Sequence, residues 1–410
     1  MMKNKMVLNK KLIKGSFILL IAFGLFNFFH FLFQFLMVRK LSVSDYGILA
    51  TLFAIIYISA IVLESVQTIV SKYSANEDNK GKLKNLFKKS MRKAFYLASC
   101  VFGVYLLIAI VLSRLLKINY TLLAITGTVI FLAFLTPVSR GIMQGKKRFF
   151  SLGGSLLVEA VSKLIIGLAF VIIGWGVYGA MAGAILGGVI AFFFSFIQLK
   201  DILKSKEEKS VSAGIYEYAK PTFFITAIIV VFYSLDIVIA KIVFNDSNLV
   251  GAYAIASILG KIIFWGTLPI SKAMFPISAQ EGNGKNVKEN AFGNSLAIAF
   301  LGVGVILAVF YFFPEYVINV FKGEVIPEAV SVLFLVGLAF GIISIANLIL
   351  LYKLSTGNTK GYTLLSGFIV IEILLLVYFS KDLVQFSVAF ITASMAFLWG
   401  CIFLLNKNER

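Results

Sequence analysis

Two cysteines and one histidine in 410 residues are too few for a zinc site or a disulfide framework. Cys100 and Cys401 both fall inside apolar runs, where cysteine acts as a small buried hydrophobe. Charge is scarce as well: 14% of residues are charged, against roughly 25% in a soluble domain. None of the pairs Gly81-Lys82, Gly145-Lys146, Gly260-Lys261 and Gly284-Lys285 is followed by Ser or Thr, so there is no phosphate-cradling ATPase loop. No serine occupies a Gly-x-Ser-x-Gly turn. These gaps leave no catalytic constellation, and neither an enzyme nor a bound cofactor or metal is expected.

What the chain has in quantity is apolar sequence. It is 60% hydrophobic, and its mean hydropathy of +0.95 is far above what a soluble core needs. The apolar residues come in runs long enough for an α-helix to cross about 30 Å of hydrocarbon, whereas membrane β-barrel strands would be half as long and alternating. Twelve spans are expected, near 15–37, 46–70, 94–113, 121–139, 151–173, 177–198, 221–244, 250–276, 292–313, 327–350, 362–380 and 385–405. The fold class is therefore an all-α polytopic membrane protein with about twelve transmembrane helices. The first run is too long for a signal-peptide core and no small-residue cleavage site follows it, so it reads as a retained span.

A net charge of +19 raises the question of a nucleic-acid partner, and the placement of the charge answers it. With the amino terminus cytoplasmic, 29 Lys and Arg fall on the inner side and six (Arg39, Lys40, Arg114, Lys117, Lys322 and Lys381) on the outer. This is the positive-inside asymmetry. It implies both termini in the cytoplasm, contact with anionic lipids, and no nucleic acid.

The longest polar connections, 71–93 and 199–220, are too short to form a domain, and the second falls at the midpoint of the chain. An offset near 205 residues brings related features into register. Ser44-Asp45-Tyr46-Gly47 opens the second span and Asn248-Leu249-Val250-Gly251-Ala252-Tyr253 the eighth; Asn27 and His30 align with Tyr233 and Asp236. Gln144-Gly145-Lys146-Lys147 aligns with Thr356-Gly357-Asn358-Thr359, and Val158-Glu159 with Ile371-Glu372. Two six-helix lobes, 1–205 and 206–410, related as a parallel repeat, are expected. Gly179, Gly183 and Gly187 give the sixth span a smooth face for close packing. Pro269 is expected to interrupt the eighth span, while Pro137, Pro276 and Pro327 sit near other span ends.

Ionisable residues inside spans are costly and so mark candidate sites: Glu64, Glu159, Lys163, Asp236, Lys241, Lys261, Glu372 and His30. Asn27, His30 and Gln34 form one stripe on the first span. Thr222, Thr226, Tyr233 and Asp236 form another on the seventh, and Tyr57, Glu64, Thr68 and Ser71 a third on the second. These three stripes are expected to line a polar cavity. His30 serves either as a hydrogen-bonded structural residue or as a proton carrier. Glu159 and Lys163, at i and i+4, can neutralise each other on one helix face, or touch substrate. Lys241 and Lys261 either snorkel to an interface or pair with Asp236. Arg140, at the cytoplasmic edge of the fourth span, reads as a topological anchor.

The pattern resembles the polysaccharide-transporter branch of the superfamily that also holds multidrug and toxin extruders and lipid II flippases. The resemblance rests on the run Val38 to Gly47 between the first two spans and on Val250 to Ala256 opening the eighth. Tyr218-Ala219-Lys220-Pro221, Asp236 and Met274-Phe275-Pro276 add to it. It implies two lobes around a cavity that opens alternately to either side, as in the extruders. The implied cargo is an oligosaccharide on a polyprenyl diphosphate, with membrane lipids and polysaccharide-assembly enzymes as partners. A cation-coupled small-molecule exporter is the alternative. In such exporters an acid in the first span commonly belongs to the cation site, and this first span carries His30 and no acid. Three intramembrane lysines face four carboxylates, so net attraction for a diphosphate does not follow from the count.

Overall fold

The apolar runs fold as helices, and no strand occurs among the described residues. The structure, a computed structural model, describes residues 10–75, 77–209, 220–279, 285–357 and 360–405. Side chains are described for all of these except 10–20, 60, 62–65, 220–222, 276 and 285. The helices of the first half are α1 (Lys10–Lys40), α2 (Val43–Ala75), α3 (Lys80–Leu116), α4 (Tyr120–Gly127), α5 (Val129–Gly145), α6 (Phe149–Phe170), α7 (Gly176–Gln198) and α8 (Lys200–Leu203). Those of the second are α9 (Lys220–Val243), α10 (Ser247–Ala279), α11 (Lys285–Phe312), α12 (Pro314–Lys322), α13 (Pro327–Ser355), α14 (Ser366–Tyr378) and α15 (Leu383–Phe403).

Among the described residues, nine helical stretches are long and apolar enough to cross a membrane. One of them, Phe149–Gln198, contains both α6 and α7, and Val43–Ser59 and Tyr362–Tyr378 are shorter apolar helices. Taken together these are the twelve expected crossings, and the chain is a multi-pass membrane protein. Helix starts are set by ordinary capping chemistry. Ser42 Oγ accepts the Asp45 N–H at the start of α2 (3.1 Å), and Asp246 Oδ1 accepts the Asn248 N–H at the start of α10 (2.8 Å).

Several boundaries differ from those read in the sequence. The stretch 71–93, read there as a polar connection, is almost all helix: α2 runs to Ala75 and α3 begins at Lys80. Leu83, Phe87 and Ala94 are buried on one face of α3 while Lys88, Lys89, Arg92 and Lys93 stay exposed, so amphipathic pairing replaces hydrophobicity as the source of order. Pro269 does not interrupt its span, because α10 is continuous through it. The fourth span breaks at Thr128 and then continues to Gly145, which carries Arg140 into the interior.

Contacts divide the chain into two units: Met1–Lys40, Ser59–Arg114 and Ile118–Glu217 in the first; Leu41–Ile58, Leu115–Lys117 and Tyr218–Arg410 in the second. In the first, α6 and α7 are joined by the π-helical turn Val171–Trp175, where Gly174 (φ 100°) and Gly176 (φ 51°) adopt conformations that side chains disfavour. The glycine face of α7 lies directly on the α6 backbone: a Cβ on Gly187 would fall 2.7 Å from Lys163 N, and one on Gly183 2.8 Å from Lys163 O. The small-residue stripe therefore packs α7 against the turn of α6 that carries Lys163.

Elsewhere in the first unit a polar clasp holds the start of α3 to the chain after α7. Asp201 takes both Arg148 Nη1 and Nη2 at 2.7 Å and lies 3.1 Å from Lys80 Nζ. Glu207 accepts from Lys88 (2.6 Å) and Asn85 (2.8 Å), and Glu208 from Asn79 (2.7 Å). The Arg148 and Lys80 partners hold the Asp201 carboxyl well below the usual aspartate range, and Lys88 and Asn85 lower Glu207.

Candidate functional site

Charged side chains inside spanning helices have few stable arrangements, and each unit gathers several of them into a buried cluster. In the second unit Asp236, on α9, is fully buried. Its Oδ1 accepts from Lys261 Nζ at 3.1 Å, and its Oδ2 from Ser257 Oγ at 2.5 Å and from the Tyr253 hydroxyl at 3.4 Å. Lys261 also donates to Ser257 Oγ at 3.1 Å, and its ammonium stands 5.4 Å from the centre of the Phe340 ring. Tyr253, Ser257 and Lys261 recur every four residues, so one face of α10 presents all three to Asp236. Glu372, on α14, is equally buried within electrostatic range of Asp236 and Lys261, and neither of its oxygens has a hydrogen-bond partner among the described residues.

Of the two lysines expected to compete for Asp236, the ion pair is made by Lys261. Lys241 is buried in the last turn of α9, where a cation meets the negative end of the helix. Tyr233 packs 4.9 Å from Phe264 and 6.5 Å from Tyr57, whose ring lies 6.1 Å from Trp265. Tyr57 and Tyr233, from two of the expected stripes, are thus brought together. Glu64, from the same stripe as Tyr57, has its side chain outside the described residues.

The first unit has a second cluster of the same kind. Arg140, read from the sequence as an edge anchor, is buried: its Nη2 lies 2.6 Å from Glu159 Oε2 and its Nε 3.1 Å from Ser155 Oγ. Ser155 is in turn 3.2 Å from Ser195 Oγ. Lys163, also buried, stands 3.4 Å from His30 Nδ1 and 4.3 Å from the centre of the Phe33 ring. The other ring nitrogen of His30, Nε2, is buried without a hydrogen-bond partner among the described residues. Ser155, Glu159 and Lys163 again recur every four residues along α6. Of the stripe on α1, Gln34 is buried with His30 nearby on the helix, while Asn27 is exposed. Sequence reasoning passed over Ser155, Ser257 and the site role of Tyr253. Their spacing from an intramembrane lysine, four residues for Ser257 and eight for Ser155 and Tyr253, was the available signal.

The buried pairs can hold charge inside the hydrocarbon layer and rearrange it if one partner moves. The described residues contain no group of three or more His, Cys, Asp or Glu placed to hold a metal ion. Residues 36–331 match the polysaccharide biosynthesis protein family. The chain belongs to that family. No curated protein matches it. Among solved structures, an inward-facing multidrug resistance MATE family transporter of the MOP superfamily is 15% identical, with a TM-score of 0.75 over 93% of this chain and 94% of that one. The lipid II flippase MurJ, in an inward closed conformation, is 15% identical with a TM-score of 0.67, covering 92% and 87%. A MOP superfamily transporter from Pyrococcus furiosus, 13% identical, scores 0.55 over 96% and 94%. The chain thus has the helical fold of those transporters, as the resemblance in its sequence implied.

Proposed function

We propose that the protein carries a lipid-linked oligosaccharide, a precursor of polysaccharide, from the inner to the outer leaflet of the cell membrane by alternating access. The observation that carries this reading is the match to polysaccharide biosynthesis proteins over a chain built from membrane-crossing helices. A sugar headgroup cannot cross hydrocarbon unaided, and buried polar clusters in spanning helices lower that barrier. The cargo is moved and not chemically changed, so the protein is a transporter and no enzyme. Its lobes are the halves 1–205 and 206–410, with both termini cytoplasmic and polysaccharide-assembly enzymes as neighbours.

In this reading Lys163 and His30 serve the anionic diphosphate, and the Asp236–Lys261 pair with Glu372 changes partners as the cavity changes sides. Asn27, Gln34 and Tyr233 contribute polar contacts to sugar. The test is transfer of fluorescent polyprenyl-diphosphate oligosaccharide in proteoliposomes against empty vesicles. Protein-dependent, glycan-selective transfer is the expected result, and none with several glycans would refute it. The second reading, a cation-coupled small-molecule exporter, draws on Asp236 and Glu372 lying buried within reach of one another; drug-dependent cation flux in the same vesicles would favour it.

A further inference from the structure

Helices that cross a membrane in alternation place every second connection on the same side. The α1–α2, α3–α4, α9–α10 and α12–α13 connections therefore share one side, the outer one under the charge asymmetry of the sequence. At that end, inside the second unit, residues from the first half of the chain are fastened to residues from the second. Lys322, buried at the end of α12, donates to the carbonyl of Leu41 at 2.8 Å and lies 3.6 Å from exposed Glu324. Lys117 donates to Asn245 Oδ1 at 2.5 Å. Between them, the starts of α2 and α10 touch through bare backbone: a Cβ on Gly47 would lie 3.0 Å from both Cα and N of Gly251, and one on Gly251 would strike the Val43 carbonyl.

These three contacts have a common character. Each joins an element end or connection of one half to one of the other, and none uses an interlocked core side chain. Two are single charge-assisted hydrogen bonds and one is a flat glycine contact, a set that can part and re-form without unpacking either half. The Asp201, Glu207 and Glu208 contacts lie at the opposite side and within the first unit.

We propose that Lys322–Leu41, Lys117–Asn245 and Gly47–Gly251 form an outer latch that closes the outer end of the transport path and must release once in every cycle. The proposal rests on the transport reading above, and its test has an arm independent of cargo. In a background carrying Cys100→Ser and Cys401→Ala, Lys117→Cys and Asn245→Cys are joined by oxidation or by a short bismaleimide. The joined protein is expected to lose transfer of the fluorescent polyprenyl-diphosphate oligosaccharide and the disulfide form to regain it on reduction; transfer at the unjoined rate overturns the latch.

The cargo-free arm places a single cysteine at Thr51, fully buried one turn beyond Gly47, and times its labelling by an impermeant maleimide added outside. Lys322→Met, which removes one charge-assisted hydrogen bond, is expected to speed labelling about tenfold. Lys117→Met provides a second release variant should the first not fold, as judged by size-exclusion profile. Unchanged labelling in a folded release variant overturns the proposal. Faster labelling with no glycan transferred in any assay keeps the latch and removes the proposed cargo.

Discussion

Gly47 and Gly251, one from each half of the chain, meet so closely that a Cβ on the first would stand 3.0 Å from the Cα of the second. Both lie in the short strings that carried the family resemblance, and the contact gives those strings a physical reason. A side chain on either residue would have to push two helix starts apart. Gly47→Val is expected to cost about 1–3 kcal/mol, as overpacking does, and to lower the melting temperature of the detergent-solubilised protein. The same change at Gly24, where an added Cβ meets nothing within 4 Å, provides the control.

Breaking the Asp236–Lys261 pair leaves a buried charge, which costs about 3–5 kcal/mol in folded proteins. Asp236→Asn and Lys261→Met should each be less stable than the double variant, which removes both charges of the pair. A melting series over the four proteins measures this coupling. Equal stability of singles and double would show that Lys261 is neutralised by another group.

In the transport assay Asp236→Asn is expected to impair glycan transfer more than Glu159→Gln. Asp236 has three side-chain partners on α10, whereas Glu159 meets Arg140, which Ser155 also holds. Equal tolerance of both changes, with expression levels matched, would remove Asp236 from the site.

The clasp around Asp201 predicts a pH signature. Its carboxyl is held below the ordinary value of 3.8 by Arg148 and Lys80, so its contribution to stability is complete above that value. It is lost as pH falls through the depressed one. The melting gap between the wild type and Asp201→Asn should be constant from neutrality down to about pH 4 and close below it. The gap should be small, since the pair is partly exposed and screened by salt.

The orientation proposed from the basic loops is checked with reporters fused to each end. A reporter active only in the cytoplasm should work at both termini. Activity at one end alone would mean an odd number of crossings.

Much of this architecture was legible in the sequence because each span must be apolar over a length set by the lipid. The twelve crossings followed from that single constraint. The start of α3 did not, since Lys80–Lys93 is ordered by burying one face against its neighbours, and charge density hid the helix. Asp236, Lys261, Glu159 and Lys163 were visible as expensive intramembrane charges, but their partners were not. Arg140 looked like an edge residue until the fourth span was found to continue beyond Pro137, and Lys261 and Lys241 could not be told apart by distance along the chain. Residue spacing gives the face of a helix; which helix that face meets is decided by packing.

At about 1.5 Å per residue, the 37 residues of α3 reach about 55 Å, well beyond a hydrocarbon layer of about 30 Å. Its basic first turns, braced by the Asp201 and Glu207 contacts, form a stiff stub outside the lipid. That stub is a natural handle for a rigid fusion or an antibody fragment, which would give a particle embedded in detergent or lipid the landmark that electron-microscope alignment needs.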